Sequence, residues 1–591
     1  MCGIIGVLSQ EGVQKKILKG LRLLDYRGYD SAGIAVLSGG RIVVNKHIGT
    51  IDKLEGSIKD FVCSGCGIGH TRWATHGAPS VRNCHPHLSC DKSWAVVHNG
   101  IIENYQELKK HLKKQGITLN SNTDSEVIPN LLQLKKEVSI GTLIEVCTKL
   151  KGSYALACIN KEHPDELFLA KLNSPLFVAV CGGDILVSSD TTPFMGKTTG
   201  FYHMHNGEFA HVRGENITFY NRNGKIIFKE IKPLEVIDKS ADKDKYSHFM
   251  IKEIFEVPHL LKVVARFYLS NKELIYDFKN LFEKAQNIFL IGCGTAYHAG
   301  LMAEQYFKKY TDKNIYTAVA SEFVYSNTKI NKGDVCIFIS QSGETADTIA
   351  VQGVCQQRGG VCVALTNNLN SHLAYLCDYV WPVLAGAEIA VASTKAYSCQ
   401  CMALMILSLL AGGKSITMPQ VSKLAIQLQN INILELKTLV KTINKAGTIF
   451  FVGRGLDFVT ALEGALKLKE ISYINCWGIS SGELKHGTLA LVDSNSVVFN
   501  IITQKETKQK SINAIYELKA RGAKVVVISH FEDIRQICGV GDVFIKLQPV
   551  NQIFYPLLSI APLQLLSYFV SVSKGINPDK PRNLAKSVTV E

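Results

Sequence analysis

Short apolar runs closed by glycine-containing turns dominate the first third of the chain. Residues 3–8, 32–37, 42–45 and 95–98 are of this kind, and the pattern predicts a mostly antiparallel sheet system with few helices. Helical spacing of apolar positions occurs at 102–114 and 125–132. A charged stretch without a long apolar run follows and reads as a linker (219–247). Beyond it the pattern changes. Strand-length apolar runs at 288–291, 335–340 and 361–365 alternate with helical segments, which predicts an α/β arrangement on parallel sheets.

The second pattern also repeats. Ile288-Phe289-Leu290-Ile291-Gly292-Cys293-Gly294 returns as Ile449-Phe450-Phe451-Val452-Gly453-Arg454-Gly455, an offset of 161. Val335 corresponds to Val497 at an offset of 162, and Gly360 to Ala523 at 163. Two tandem copies of one open α/β domain account for offsets this constant. The organisation read from the chain is residues 2–218, the linker, 248–430, 431–580, and a terminal tail of 581–591. Both Gly-x-Gly turns lack the third glycine of a dinucleotide fingerprint, with Tyr297 and Phe458 in its place. Tight strand-to-helix turns are the better reading of them.

Composition narrows the class. A chain of 591 residues is too long for one core, and 46% hydrophobic with 20% charged residues describes a soluble globular protein. The net charge of +14 is scattered, which argues against a nucleic-acid tail and reads mostly as a solvated surface, with a minor lean toward an anionic small substrate. The 17 cysteines have no framework spacing and suit free thiols in a reducing compartment. Cys63 and Cys66 have the spacing of half a zinc site, with His70, Cys84, His85, His87 and Cys90 nearby. No second half stands at ligand spacing, so buried thiols and a histidine-rich loop are preferred and no metal is expected. Residues 547–573 are uncharged and long enough for a bilayer, but Pro549, Pro556, Pro562 and several polar residues favour a core helix preceded by a loop. The first apolar run stops at Ser9-Gln10-Glu11 with no basic region before it, so no leader is read and a cytoplasmic protein is expected.

Candidate chemistry begins at Cys2. Removal of Met1 would leave a thiol and a free α-amine on one residue, a nucleophile with its own base. Four clusters accompany it: Arg27 to Gly33, His70 to Gly77, His98 to Asn104, and Thr123 to Glu126. Singly each has a plain reading, Asn99-Gly100 as a turn and Thr123-Asp124 as a helix cap. Together, in this order and spacing, they resemble the class II (N-terminal nucleophile) glutamine amidotransferases. The resemblance implies that Cys2 attacks the glutamine amide and that Asn99 and the Gly100 N–H form the oxyanion hole. It implies that Arg72 holds the α-carboxylate, Asp124 the α-ammonium, that Thr75 and His76 complete the pocket, and that Trp73 gates the exit of ammonia.

In the second half, Ser340-Gln341-Ser342-Gly343-Glu344-Thr345 follows a strand and precedes a helical segment, so hydroxyls, backbone N–H groups and a helix start converge as an anion cradle. A Ser/Thr-rich loop with a cap is the plainer alternative. With the tandem repeat, this loop resembles the sugar isomerase (SIS) domains. Lys467-Leu468-Lys469-Glu470, Gly482 to Gly487, and the ending Asp579 to Glu591 complete a set that resembles the glutamine:fructose-6-phosphate amidotransferase family over nearly the whole chain. The fold implied is an α+β N-terminal nucleophile domain followed by two α/β SIS domains and a catalytic tail.

That family resemblance implies further roles. Thr295, Ser340, Gln341, Ser342, Thr345, Val391 and Ala585 bind the sugar phosphate, and Lys586 forms a Schiff base at C2 with an amine kept neutral by desolvation or by Arg582. Glu470 shuttles the proton between C1 and C2, Lys467 steadies the enolamine oxygen, and His486 opens the ring across a homodimer interface. The implied partners are glutamine and fructose 6-phosphate, with no cofactor, nucleic acid or membrane. Val257, Val324, Asn475-Cys476-Trp477 and Thr488 depart from the family pattern without touching a named role. Another class II amidotransferase would need a diphosphate- or ATP-binding loop that is not found in the second half. A non-catalytic sugar-phosphate sensor would be expected to lack Cys2, Glu470, His486 or Lys586, and all four are present.

Overall fold

The first strands, Gly3–Ser9 and Ser31–Ser38, are runs of apolar and small residues rather than alternating ones, and both faces of them are buried. The computed structural model describes residues 2–58, 65–73, 76–234 and 242–588. Contacts divide the chain into two units: Met1–Ile237 with Glu344–Ala346 and Ser587–Glu591, and Asp238–Gly343 with Asp347–Lys586.

The first unit holds two antiparallel sheets. One is 8-stranded, with Gly3–Ser9 between Asp184–Ser188 and Gly65–Arg72, and Ser31–Ser38 and Arg41–Ile48 beyond them. The other is 7-stranded, with Gly152–Asn160 between His163–Leu172 and Trp94–Ile102. The period of two in Gly152–Asn160 sends Ala155, Ala157 and Ile159 into the core between the sheets, with Ile4, Leu8 and Ile68. Its other face sends Tyr154, Leu156 and Cys158 under the helices Tyr105–Lys114, Val127–Gln133 and Ile140–Cys147. Helix Val13–Leu23 covers the outside of the 8-stranded sheet with Ile17 and Leu21. The layering is helix, sheet, sheet, helix.

Two expectations shift. The helix expected from Ile102 begins at Tyr105, because Ile102 is the last residue of Trp94–Ile102 and pairs with Gly152. Part of the expected linker is sheet. Asn216–Tyr220 runs past 218, Ile226–Ile227 pairs with it, and Lys232–Pro233 pairs with Gly200–His203. Strands of two residues are held by backbone pairing and are too short for hydrophobic alternation to reveal.

The second unit contains the repeat. Two five-stranded parallel sheets have the same order: Asn314–Val319, Asn287–Gly292, Val335–Ser340, Val361–Thr366, Tyr379–Pro382, and Cys476–Ser480, Thr448–Gly453, Ser496–Ile502, Lys524–Ser529, Val543–Lys546. In each, the second strand of the chain lies outside the first. Each first strand turns into a long helix, Thr295–Tyr310 and Leu456–Ser472. One continuous core takes Leu290 and Ile337 from the first sheet, Phe451 and Phe499 from the second, and the helices between.

Helix Tyr555–Ser573 lies in that core. By length and composition it is long and apolar enough to cross a membrane, yet its most apolar 18-residue window is 89% buried among protein. Leu563→Ala should therefore destabilise this unit by about 2–5 kcal/mol through lost burial and a cavity. Val572→Ala, at a position 41% exposed, should cost under about 0.5 kcal/mol. Thermal and urea unfolding of the two variants checks this, and equal losses would mean that the helix is not a core element.

Candidate active site

In the first unit, strand pairing brings the N-terminus beside the 65–72 strand. Gly3 N donates to Thr71 Oγ1 at 3.1 Å and Ile4 N to Ser189 Oγ at 2.9 Å. Cys2 then lies against Trp73, whose N–H donates to Cys2 Sγ at 3.3 Å, while the thiol reaches Trp73 O at 3.5 Å. Asn99 Nδ2 donates to the Cys2 carbonyl at 2.9 Å. Next to it, Gly100 has φ +129, and a Cβ there would lie 2.1 Å from Ser153 O, so the strand needs glycine at this point.

Arg72 is buried, with Nη2 donating to the carbonyls of His76 (2.5 Å) and Gly77 (2.9 Å). Its Nη1 is buried without a hydrogen-bond partner among the described residues, a donor of the kind that takes an incoming carboxylate. Asp124 is also buried and accepts from Ile102 N at 2.7 Å and Ser125 Oγ at 3.3 Å. His76 packs edge-on to Tyr105, and Trp73 edge-on to Tyr29. Arg27, in the first of the four clusters, pairs inside the fold with Asp190 at 3.0 Å. Thr75 and Cys63 lie outside the described residues. Among the described residues no group of three or more His, Cys, Asp or Glu is arranged to hold a metal.

In the second unit the two repeats meet at charged side chains. Glu463, Lys467 and Glu470 share one face of Leu456–Ser472, as spacings of four and three residues require. Lys467 is completely buried, with Nζ 2.7 Å from Glu470, 3.4 Å from Glu463 and 2.9 Å from Thr295 Oγ1 at the start of the other repeat's helix. Glu463 also accepts from Thr295 Oγ1 (3.2 Å) and bonds His298 Nδ1 (2.7 Å). Burial lowers the Lys467 pKa, but Glu463 and Glu470 outweigh it, and the net direction is upward.

The tail is tied to the same unit. The Asp579 carboxylate accepts from Phe249 N (2.9 Å) and Met250 N (2.8 Å), capping the helix Phe249–Ser270, and Asp579 O accepts from Val391 N at 3.1 Å. Arg582 lies over the Tyr473 ring at 4.3 Å. Lys586 is then buried against Glu388 as an ion pair. Glu388 also accepts from Thr394 N (2.9 Å) and Ala396 N (3.0 Å). Burial raises the Glu388 pKa, but Lys586 and these N–H groups hold it below the ordinary carboxylate value. The charged partner of Lys586 is thus an anion, and Arg582 is occupied by Tyr473.

Ser340 closes its turn by accepting from Gly343 N at 3.0 Å, and Gln341 O accepts from Asn367 N at 3.2 Å. Thr345 stands immediately before the helix Ala346–Gln357, and Ala585 is half-buried beside Lys586. His486 is exposed at the end of the 3-10 turn Glu483–His486, and no hydrogen bond or ion pair joins it to Lys467, Glu470 or Lys586. Of the departing residues, Val257 is core, Trp477 lies under Lys469, Val324 is exposed, and Thr488 starts a 3-10 turn.

Sequence reasoning missed Glu463, Glu388 and Glu253, and it gave Asp579, named as the start of the ending 579–591, no role of its own. Glu463 carried a signal, its helical spacing to Lys467. Glu388 stands in an apolar run without spacing to anything it meets, and only folding reveals it.

A thiol beside an amide donor in a helix-clad double sheet, followed by two 2-1-3-4-5 parallel sheets with buried charge between them, defines a glutamine amidotransferase domain joined to a tandem SIS pair. Family models agree: one described as a SIS domain matches residues 281–410 and 442–574, and one described as a glutamine amidotransferase domain matches residues 70–196. The chain is 40% identical over 609 residues to the glutamine–fructose-6-phosphate aminotransferase (isomerizing) of Caldanaerobacter subterraneus subsp. tengcongensis, covering 100% of each. It is 39% identical over 610 residues to the enzyme of that name from Clostridium acetobutylicum, again covering 100% of each. The solved C-terminal domain of glucosamine-fructose-6-phosphate aminotransferase from Francisella tularensis is 34% identical, with TM-score 0.52, and covers 58% of this chain and 100% of that one. The chain belongs to the glutamine–fructose-6-phosphate aminotransferase (isomerizing) family of enzymes.

The Lys586–Glu388 pair has a titratable neighbour. Glu253 accepts from Ile389 N (2.5 Å) and Ala390 N (3.1 Å), and burial and the Glu388 charge push it up to about 8, against Lys586 and those N–H groups. A carboxyl raised in the folded state stabilises fully below its ordinary value of 4.5 and loses that contribution as pH rises toward about 8. Glu253→Gln should flatten the decline of the second unit's thermal midpoint across that window. An unchanged slope would exclude Glu253 as its source.

Proposed function

We propose that this chain converts fructose 6-phosphate and glutamine into glucosamine 6-phosphate and glutamate. The observation that carries the reading is end-to-end similarity to enzymes of that name, in a chain that has Cys2, Glu470, His486 and Lys586. Once Met1 is removed, the α-amine of Cys2 takes the thiol proton, and the thiolate attacks the glutamine amide carbon. The tetrahedral oxyanion is stabilised by Asn99 Nδ2 and the Gly100 N–H, each donor worth about 2.7–4 kcal/mol. Ammonia leaves, and water hydrolyses the thioester to glutamate and restores Cys2. Arg72, with its unpaired Nη1, takes the substrate α-carboxylate, and Asp124 takes the α-ammonium. Thr75 and His76 complete the pocket, and Trp73, packed on Cys2, gates the path of ammonia.

Ser340, Gln341, Ser342 and Thr345 hold the sugar phosphate, with Thr295, Val391 and Ala585 lining the sugar. Lys586 condenses with the C2 ketone and releases water. Ammonia displaces the lysine as the imine at C2. Glu470 moves a proton from C1 to C2, leaving the amino aldose, while Lys467 steadies the oxygen that gains charge. His486 opens the ring from a partner subunit of a homodimer, a reading supported by its exposure and lack of links to Lys467 and Glu470 within one chain. The protein acts in the cytoplasm and needs no cofactor.

Purified protein given both substrates should form hexosamine phosphate and glutamate in equal amounts, and folded protein yielding no hexosamine would overturn the reading. Cys2→Ala should abolish glutamine-dependent synthesis yet retain sugar-phosphate binding by calorimetry; loss of both would refute two separate sites. Borohydride reduction with fructose 6-phosphate should label Lys586 in a peptide map, and a label on any other lysine would refute the Schiff-base assignment.

A further inference from the structure

An asparagine amide offers a donor on one side and an acceptor on the other, and the two sides have nearly the same shape. Turned over, Asn99 would aim its oxygen at a developing oxyanion, replacing a stabilising contact with a repulsive one. A neighbour that distinguishes N from O is therefore required.

His70 is such a neighbour on the oxygen side, as the Cys2 carbonyl is on the nitrogen side. The His70 Nε2 lies 3.0 Å from Asn99 Oδ1 and 3.2 Å from the backbone carbonyl of His98. A backbone carbonyl only accepts, so Nε2 carries the proton. An N–H aimed at Asn99 demands oxygen on that side, which leaves Nδ2 to donate toward Cys2. His70 is itself fixed. Its strand pairs it with Ile4 on one side and Gly33 on the other. Its ring stacks on His85, with centroids 4.2 Å apart and planes 19° apart, and His85 Nδ1 in turn accepts from His98 N at 3.3 Å. Gly33 permits this stack, because a Cβ there would lie 2.2 Å from His85 O. Burial, with the Arg72 charge adding to it, lowers the His70 pKa to about 3 despite the Asn99 bond, so the ring stays neutral at working pH. Its Nδ1 is buried with no hydrogen-bond partner among the described residues, as suits an unprotonated nitrogen.

We propose that His70 is a positioning residue for glutamine cleavage: its Nε2–H holds Asn99 so that Nδ2 faces the carbonyl that Cys2 attacks. This rests on the roles of Cys2 and Asn99 given above.

Three readouts on the full-length protein test it: glutamine hydrolysis, inhibition by glutamate γ-semialdehyde, and alkylation of Cys2 by iodoacetamide. The aldehyde adds to the thiol and forms a tetrahedral oxygen, whereas alkylation is a displacement without an oxyanion. His70→Leu should lower kcat about 100-fold and weaken the semialdehyde comparably, leaving KM and the alkylation rate within about threefold. His70→Gln, which keeps a donor near the Nε2 position, should recover at least about tenfold of the lost kcat. Unchanged kcat in His70→Leu would overturn the inference, as would a parallel loss of alkylation or a rise in KM that accounts for the defect. Cys2→Ala is the separate control: if it still hydrolyses glutamine, the underlying reading fails whatever His70 does.

Discussion

The second unit depends on a buried ammonium. Lys467 is wholly removed from water, and an unpaired charge in that position would cost several kcal/mol. Its partners come from both repeats: Glu463 and Glu470 from its own helix, and Thr295 from the helix of the other copy. His298 extends the link by bonding Glu463. Two SIS folds could share an apolar core in many rotational settings, since hydrophobic burial has no direction. Hydrogen bonds to a buried charge do, and they select the setting in which the two strand-following helices meet near Thr295.

The tail obeys the same logic. A chain end is ordinarily frayed, yet Asp579 caps the first helix of the unit through two N–H groups and so anchors the segment. Seven residues further on, Lys586 reaches the buried carboxylate of Glu388. Removing either partner would strand the other charge in the interior. The ion pair therefore holds the last residues of this unit in place, and the Lys586 side chain is held against a packed core although it is carried by an irregular segment.

In the first unit the constraint is backbone register. Gly3 and Ile4 are stitched to Thr71 and Ser189, which leaves Cys2 beside Trp73 and Asn99. The side chains around the thiol are in turn ordered by a buried histidine stack that carries little charge, because burial depresses these imidazoles. Neutral rings can serve as fixed donors and acceptors across the working pH range, which suits them to orienting an amide.

Much of this was legible in the chain. The switch from short apolar runs with glycine turns to alternating strand and helix segments reported two architectures, and near-constant offsets reported the tandem repeat, because periodicity is a local property that packing reads out without altering. The clusters around Arg72, Asn99 and Asp124, the loop at Ser340 and the tail lysine pointed to the family. Two-residue strands such as Lys232–Pro233 left no trace, since backbone pairing requires no side-chain pattern. Nor did the partnerships of Lys586 with Glu388 or of His70 with Asn99, which join residues far apart in sequence and across different elements. The sequence by itself determined which chemical groups this protein owns and which elements carry them. Only the tertiary structure decided which groups meet, because burying a charge or a polar atom forces it to find a partner wherever the fold brings one within reach.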